Sequence, residues 1–198
     1  MSASRSTLAA PARLVLEIRK SQFVANAANA ATPQGALEFI DSISDRSATH
    51  NCWAYRVGQQ YRFSDDGEPA GTAGKPILQA IDAQRLDLVA VVVTRWFGGI
   101  KLGAGGLIRA YGGCAAECLR TASRVPLVDT VDVEFDLSFA LLPVMHARLA
   151  EFEATTLREA FDGNGATLRV RVPSARLDAL RAMLADLSGG RSRPRIVD

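Results

Sequence analysis

Cysteine, histidine and long apolar runs are scarce in this chain, and each scarcity removes a class of function. Cys52, Cys114 and Cys118 are an odd set without metal-ligand spacing, so neither a disulfide framework nor a zinc site is expected. Two histidines are too few for a Ser-His-Asp or Cys-His constellation to be assigned from spacing. No apolar run approaches the roughly 20 residues that cross a bilayer, and the opening MSASRSTLAAPAR lacks the apolar segment of a signal peptide. The expectation is a cytoplasmic protein without membrane contact. Charge of one sign is lacking as well. A net charge of +2 leaves no general electrostatic footprint for nucleic acid, although cations outnumber carboxylates before Pro126 and the reverse holds after it.

What is present is enough apolar material, 48% of 198 residues, for two small domains, expected as residues 1–126 and 127–198. In the first, Leu14 to Ile18 and Phe23 to Ala27 read as strands joined by a polar turn. Thr32 and Pro33 open a helix through Ile43 as N-cap and first-turn pair. Asn51 to Val57 reads as a strand ended by Gly58, and the β-branched run Asp87 to Thr94 as a strand buried on both faces. Helices are expected from Lys75 and Pro76, and from Leu107 onward, where Cys114 and Cys118 lie on the apolar stripe as core residues. In the second domain Val131, Val133, Phe135 and Leu137 alternate with acids. A helix follows from Leu142, then a hairpin of Thr155 to Phe161 and Ala166 to Val172 around Asp162-Gly163-Asn164-Gly165. Ser174 caps a helix stopped by Gly189, and a short strand closes at Ile196 to Val197. This β-α-β-β-α-β order is ferredoxin-like. The RSRPR stretch from Arg191 reads as a solvated end.

Between Phe63 and Tyr111, glycines, carboxylates and isolated cations crowd two loops, FSDDGEPAGTAGKP and RWFGGIKLGAGGLIRAY. Glycine lets backbone N–H groups approach another molecule but costs roughly 0.5–1 kcal/mol inside a helix, so Gly98, Gly99, Gly103, Gly105 and Gly106, like Gly71 and Gly74 in the first loop, suggest a backbone shaped for binding. The first loop is not a Walker site: Pro69 stands where a glycine is required and Pro76 where Ser or Thr would meet magnesium. The second fails the dinucleotide fingerprint spacing. What survives is a helix N-terminus that favours an anion, flanked by Lys101 and Arg109. Asp65, Asp66 and Glu68 are candidates for holding a cation or acting as acid and base, or for closing turns and capping a helix. His50 is a candidate base or a hydrogen-bonded structural group.

HNCWAY (His50 to Tyr55), FSDDGEPAGTAGKP and TRWFGGIKLGAGGLIRAY (Thr94 to Tyr111) closely resemble the IMPACT family, with the two-part organisation of its bacterial YigZ-type members. The resemblance spans essentially residues 10 to 198. It implies an α/β (α+β) protein: a ribosomal-protein-domain-like first domain of left-handed β-α-β type, then a ferredoxin-like domain resembling one of elongation factor G. Both folds occur in proteins that touch RNA or the ribosome. Eukaryotic relatives act in translational control by competing for an activator of a stress kinase, a role not carried over directly because the C-terminal domain here is of the bacterial type. The motif residues map onto His50, Asp65, Asp66, Glu68, Lys75, Arg95, Lys101 and Arg109 with the intervening glycines; Trp96 stands where many relatives have tyrosine.

The leading expectation is therefore a non-enzymatic translation regulator, without cofactor or metal, in which Lys75, Arg95, Lys101 and Arg109 receive phosphates of RNA, the ribosome or another anionic partner. Two alternatives stand beside it. One is an enzyme on a phosphorylated metabolite or nucleotide, with Asp65 or Asp66 on magnesium and His50 or Glu68 moving a proton. The other is a protein-interaction module docking a partner such as a translation factor. All of them require the two loops to meet in space.

Overall fold

Chain order in the first unit is β1 (Ser6–Leu8), β2 (Ala12–Ile18), β3 (Ser21–Asn29), α1 (Pro33–Ile43), β4 (His50–Val57), β5 (Gln60–Ser64), α2 (Gly74–Ala83), β6 (Val89–Trp96), α3 (Gly103–Thr121) and β7 (Arg124–Pro126). The structure, a computed structural model, describes residues 5–197, and the chain divides between Leu127 and Val128. Five strands form an antiparallel sheet in the order β2-β3-β6-β4-β5. Its centre is the valine strand β6, buried from Val89 to Arg95, because helices cover both faces. The β6 valines 89, 91 and 93 pack with Phe23, Ile77 and Leu119 on the α2 and α3 side. Ala90 and Val92 pack with Ile40 and Tyr55 on the α1 side.

Local chemistry sets the ends of these elements. Thr32 Oγ1 accepts the Gly35 N–H at 3.0 Å, with Pro33 in the first turn of α1. The two residues joining β2 to β3, Arg19 and Lys20, both take positive φ, 48° and 64°, as a two-residue hairpin turn matched to strand twist requires. Neither is the glycine or asparagine that relieves this conformation. The β4 strand ends at Val57, as expected, and Gly58, at φ 60°, turns the chain back into an edge strand the sequence did not announce, β5, whose QYRFS sequence is mostly exposed and lacks a clean apolar face. The short pair β1 and β7 brings the two ends of the unit together.

The second unit runs β8 (Thr130–Ser138), α4 (Leu142–Arg148), β9 (Thr155–Phe161), β10 (Gly165–Pro173), α5 (Leu177–Ser188) and β11 (Arg195–Ile196). Its sheet order, β11-β8-β10-β9, is that of a ferredoxin-like fold. Val133, Phe135, Leu168, Met145 and Leu180 fill the core. Asp162 Oδ1 accepts the N–H groups of Asn164 and Gly165 at 2.7 and 2.9 Å, closing the hairpin. Two expectations are corrected. Ser174 does not cap α5; it begins a 3-10 turn, Ser174–Arg176, whose last residue precedes the helix. The stretch from Arg191 is not a free end: Ser192 is buried on the Ser188 hydroxyl and Arg195 pairs with Glu134 on β8.

Candidate functional site

The first glycine-rich loop is organised by one carboxylate. Asp65 Oδ1 accepts the N–H groups of Ala73 and Gly74 at 2.9 and 2.8 Å, and Oδ2 that of Gly71 at 2.8 Å. Since Ala73, at the start of α2, has no side-chain cap of its own, Asp65 supplies the anion favoured at a helix N-terminus. Gly74 is required there, since a Cβ would lie 2.5 Å from the Ser64 carbonyl oxygen. Asp66, at φ 41°, accepts the Asn51 N–H on Oδ2 at 2.5 Å. Its carbonyl lies 2.7 Å from His50 Nδ1. These carboxylates thus hold the loop together. Both Asp65 oxygens and Asp66 Oδ2 are turned to backbone N–H groups rather than to the magnesium ion considered for them. Among the described residues no group of three or more His, Cys, Asp or Glu could hold a metal ion.

Glu68 differs from its neighbours, being buried. Its Oε1 accepts Arg95 Nη1 at 2.6 Å and the Tyr111 hydroxyl at 2.8 Å, and His50 Nε2 stands 3.8 Å away. Arg95 is buried as well, its guanidinium 5.4 Å from the ring centres of both Phe23 and Phe97. This corrects the assignment of Arg95 as a phosphate receiver: its charge is neutralised inside the protein by Glu68. Burial pushes the Cys52 thiol from 9.0 up to about 12, with the Glu68, Asp66 and Asp65 carboxylates adding to the rise against a hydrogen bond from Tyr111. The Tyr111 phenol is raised for the same first reason. Both are neutral, so neither is an anionic nucleophile at neutral pH.

The second loop is fixed to β3 and to the segment before β4. Phe97 N–H donates to Thr49 Oγ1 at 3.0 Å and Gly98 N–H to Ser21 Oγ at 3.1 Å. A Cβ on Gly98 would sit 1.8 Å from the Lys20 carbonyl oxygen, so the loop rests directly on the β2–β3 turn. Gly99 and Gly103 take φ of 87° and 70°, turning the chain into α3, whose first turn has neither a side-chain cap nor an acidic residue.

The two loops meet. Glu68 and Pro69 from the first, Phe97 and Lys101 to Ala104 from the second, and His50 and Arg95 from the sheet line one cavity of about 400 Å³. Leu102 also borders an adjacent depression of about 270 Å³ lined by Arg19, Gly106 and Arg109. The Arg109 guanidinium reaches back over the first turn of α3, 3.6 Å from where a Gly105 Cβ would be. Lys75, by contrast, is exposed on α2 and lines neither hollow; Asp65, Asp66, Gly71 and Gly74 support the first loop from behind. Sequence reasoning missed Arg19 and Lys20. Their only signal is a cationic pair inside a two-residue turn, and nothing local shows that Gly98 will lie against it. It also missed Thr49, Pro69, Phe97 and Leu102 as lining.

Residues 19–119 match the Impact N-terminal domain, and residues 135–191 a domain of unknown function, DUF1949. An IMPACT family member from the pol 5' region of Thermus thermophilus is 48% identical over 178 residues, 88% of this chain and 97% of that protein. IMPACT family member YigZ of Escherichia coli is 35% identical over 189 residues, 92% of each chain. Human Protein IMPACT is 35% identical over 95 residues, 43% of this chain and 29% of that protein. A crystal structure of a hypothetical protein superposes with a TM-score of 0.74 at 33% identity, covering 100% of this chain and 99% of that one.

Proposed function

The chain belongs to the IMPACT family as a bacterial YigZ-type member, and on that premise we propose that it is a translation-associated regulatory protein whose first domain binds RNA through its convergent glycine-rich loops. One observation carries the reading. Arg19, Lys101 and Arg109 line the two hollows at the uncapped start of α3, the Lys20 backbone lies against Gly98 in the loop before it, and none of the four side chains makes a hydrogen bond or ion pair with the described residues. Cations without internal partners beside a run of free backbone N–H groups form a receptor for phosphate. The strained Arg19–Lys20 turn supports the same reading. Non-glycine residues at positive φ cost of order 1–3 kcal/mol each and persist where a site depends on them; here the turn sets the Lys20 backbone against Gly98 and carries Arg19 to the hollow beside Arg109. Phe97, exposed at the mouth of the cavity, offers a stacking platform for a base.

Single-stranded RNA binding is tested on the full chain by filter retention or fluorescence anisotropy. Lys101→Ala combined with Arg109→Ala is expected to weaken binding about tenfold or more, whereas Lys75→Ala leaves it within about twofold. Equal losses at Lys75 and at Lys101 with Arg109 would refute the assignment of the receptor to the α3 start.

A further inference from the structure

The five-stranded sheet of the first unit ends on β2, and no strand of the described residues pairs with its other side. Such an edge is a template for a further strand, and proteins guard it with short length, proline, a bulge or charge. The first three guards are missing from β2. It runs seven residues, ARLVLEI, in unbroken register with β3 from Ala12 opposite Ala27 to Ile18 opposite Ser21. Because the hairpin closes on a two-residue turn, Ile18 and Ser21 exchange hydrogen bonds, and by alternation Leu16, Leu14 and Ala12 also bond toward β3. The N–H and C=O groups of Arg13, Val15 and Glu17 therefore point outward at the open edge. Their side chains are unanswered as well. Val15 is 44% exposed. Arg13 and Glu17 stand opposite the neutral Asn26 and Gln22 on β3 and make no hydrogen bond or ion pair with the described residues.

We infer that β2 is the contact surface for a second copy of this chain, two such strands pairing antiparallel about Val15 and joining the two sheets into one. The strand is complementary to itself in that register. A two-fold axis at Val15 sets it against the second copy's Val15, and sets Arg13 against the second copy's Glu17 on both sides of the axis. The residues whose backbone groups point outward are then the ones that exchange hydrogen bonds between the copies. Val24, opposite Val15 on β3 and 5% exposed, continues the apolar row into each sheet. On the other face Leu14 meets the second copy's Leu16, and Ala12 its Ile18, covering side chains that are only half-buried where they pack on the core. The longer of the other sheet edges do not fit themselves in this way. Arg62 is the midpoint of β5 and Arg158 that of β9, so the same symmetry would oppose two arginines in either strand. The charges on β2, by contrast, differ in sign and stand at equal distances from its central valine. They therefore favour self-pairing instead of guarding against it. The inference goes beyond the RNA-binding reading and does not rest on it. In the joined sheet the two Arg19–Lys20 turns, one from each copy, stand roughly 27 Å apart along the paired strands.

The test is sedimentation equilibrium of the full chain at low salt over a range of concentrations, for the wild type and for charge exchanges on β2. The wild-type chain is expected to form dimers. Arg13→Glu and Glu17→Arg, both at exposed positions, each turn the attractive pairs on both sides of the axis into repulsive ones and are expected to weaken dimerisation about tenfold or more. The double variant Arg13→Glu, Glu17→Arg restores both pairs with their signs exchanged and is expected to regain dimerisation to within about threefold. Mixing the two single variants is expected to give the heterodimer, since every pair between them is again of opposite charge. Damage to the fold would not be repaired by the second exchange, so the rescue separates a lost contact from a lost structure. A chain that is monomeric at every concentration overturns the inference and leaves the RNA reading as it stands. A dimer that ignores the single exchanges, or that the double exchange fails to restore, overturns it in favour of another surface. Dimers that respond as expected in a chain without RNA association support the inference and remove the RNA reading alone.

Discussion

Glu68 and Arg95 were named together by a motif and separated by the structure into roles that neither residue type announces. A glutamate in a turn and an arginine at a strand end look like surface charges. Here each is nearly enclosed, at 4% and 6% side-chain exposure, with Tyr111 donating to the same carboxylate oxygen. Removing one member of a buried pair leaves the other charge unpaired, which costs about 3–5 kcal/mol, so Glu68→Ala should lower unfolding free energy in urea by about that amount. Tyr111→Phe, which removes one hydrogen bond to a carboxylate and no charge, should cost about 1.5–3 kcal/mol. Equal, small losses in both would mean that the pair is solvated. What made these roles illegible is that burial is a property of the assembled sheet: Arg95 is the last buried residue of β6, and no local pattern separates it from Lys101 six residues later.

The three cysteines were legible, since their place on apolar stripes foretold core positions and all three are fully buried. Burial raises Cys52 and Cys114 from 9.0 to about 12 and Cys118 to about 11. The sign follows: the unfolded chain releases thiol protons near pH 9 and the folded one does not. Stability from the protonated thiols is therefore complete below pH 9 and is lost as pH rises toward 11 and 12, by up to about 1.4 kcal/mol per pH unit for each thiol. Urea midpoints should fall between pH 8 and pH 10, and a thiol reagent should modify the cysteines only after unfolding. Rapid modification of the native protein would contradict their burial.

At the scale of the element, glycine and aspartate positions decide how the loops are held. Asp65 ties three backbone N–H groups at the start of α2; Asp65→Ala should cost about 2 kcal/mol and lower the thermal midpoint without abolishing the fold. Gly98→Ala places a methyl 1.8 Å from the Lys20 carbonyl oxygen. It should cost about 1–3 kcal/mol and weaken RNA association by pushing the loop off the Arg19–Lys20 turn. Gly105→Ala, whose Cβ would meet nothing closer than Arg109 at 3.6 Å, should be neutral or stabilising by up to about 1 kcal/mol. Most elements here were legible because their periodicity was strong: the alternation in β8, the hairpin signal at Asp162 to Gly165, the Thr32 cap. Edge strand β5 was not. It buries almost nothing, so composition had no burial to report. The short β1 and β7 pair with each other across most of the first unit, and Ser6 also bridges to Leu86, contacts that no local pattern announces.

At the scale of the molecule, the order of strands brings the two loops together. Separated by some thirty residues in sequence, the two glycine-rich loops follow β5 and β6, and β4 pairs with both strands. The β2–β3 turn comes to the second loop because β3 pairs with β6 on its other side. Which residues crowd the loops was readable from the sequence; their convergence was not, because it depends on strand order. The same order explains why Lys75 stands apart while Arg19 and Lys20 join the cluster.

The most direct measurement is the salt dependence of single-stranded RNA binding by the full chain, compared with the Lys101→Ala, Arg109→Ala double variant. With four unpaired cations meeting phosphate, log affinity should fall against log salt with a slope of up to roughly −3, dropping to roughly −1.5 in the variant. Affinity that ignores salt, or a slope unchanged by the two replacements, would contradict an anion receptor at the meeting of the loops.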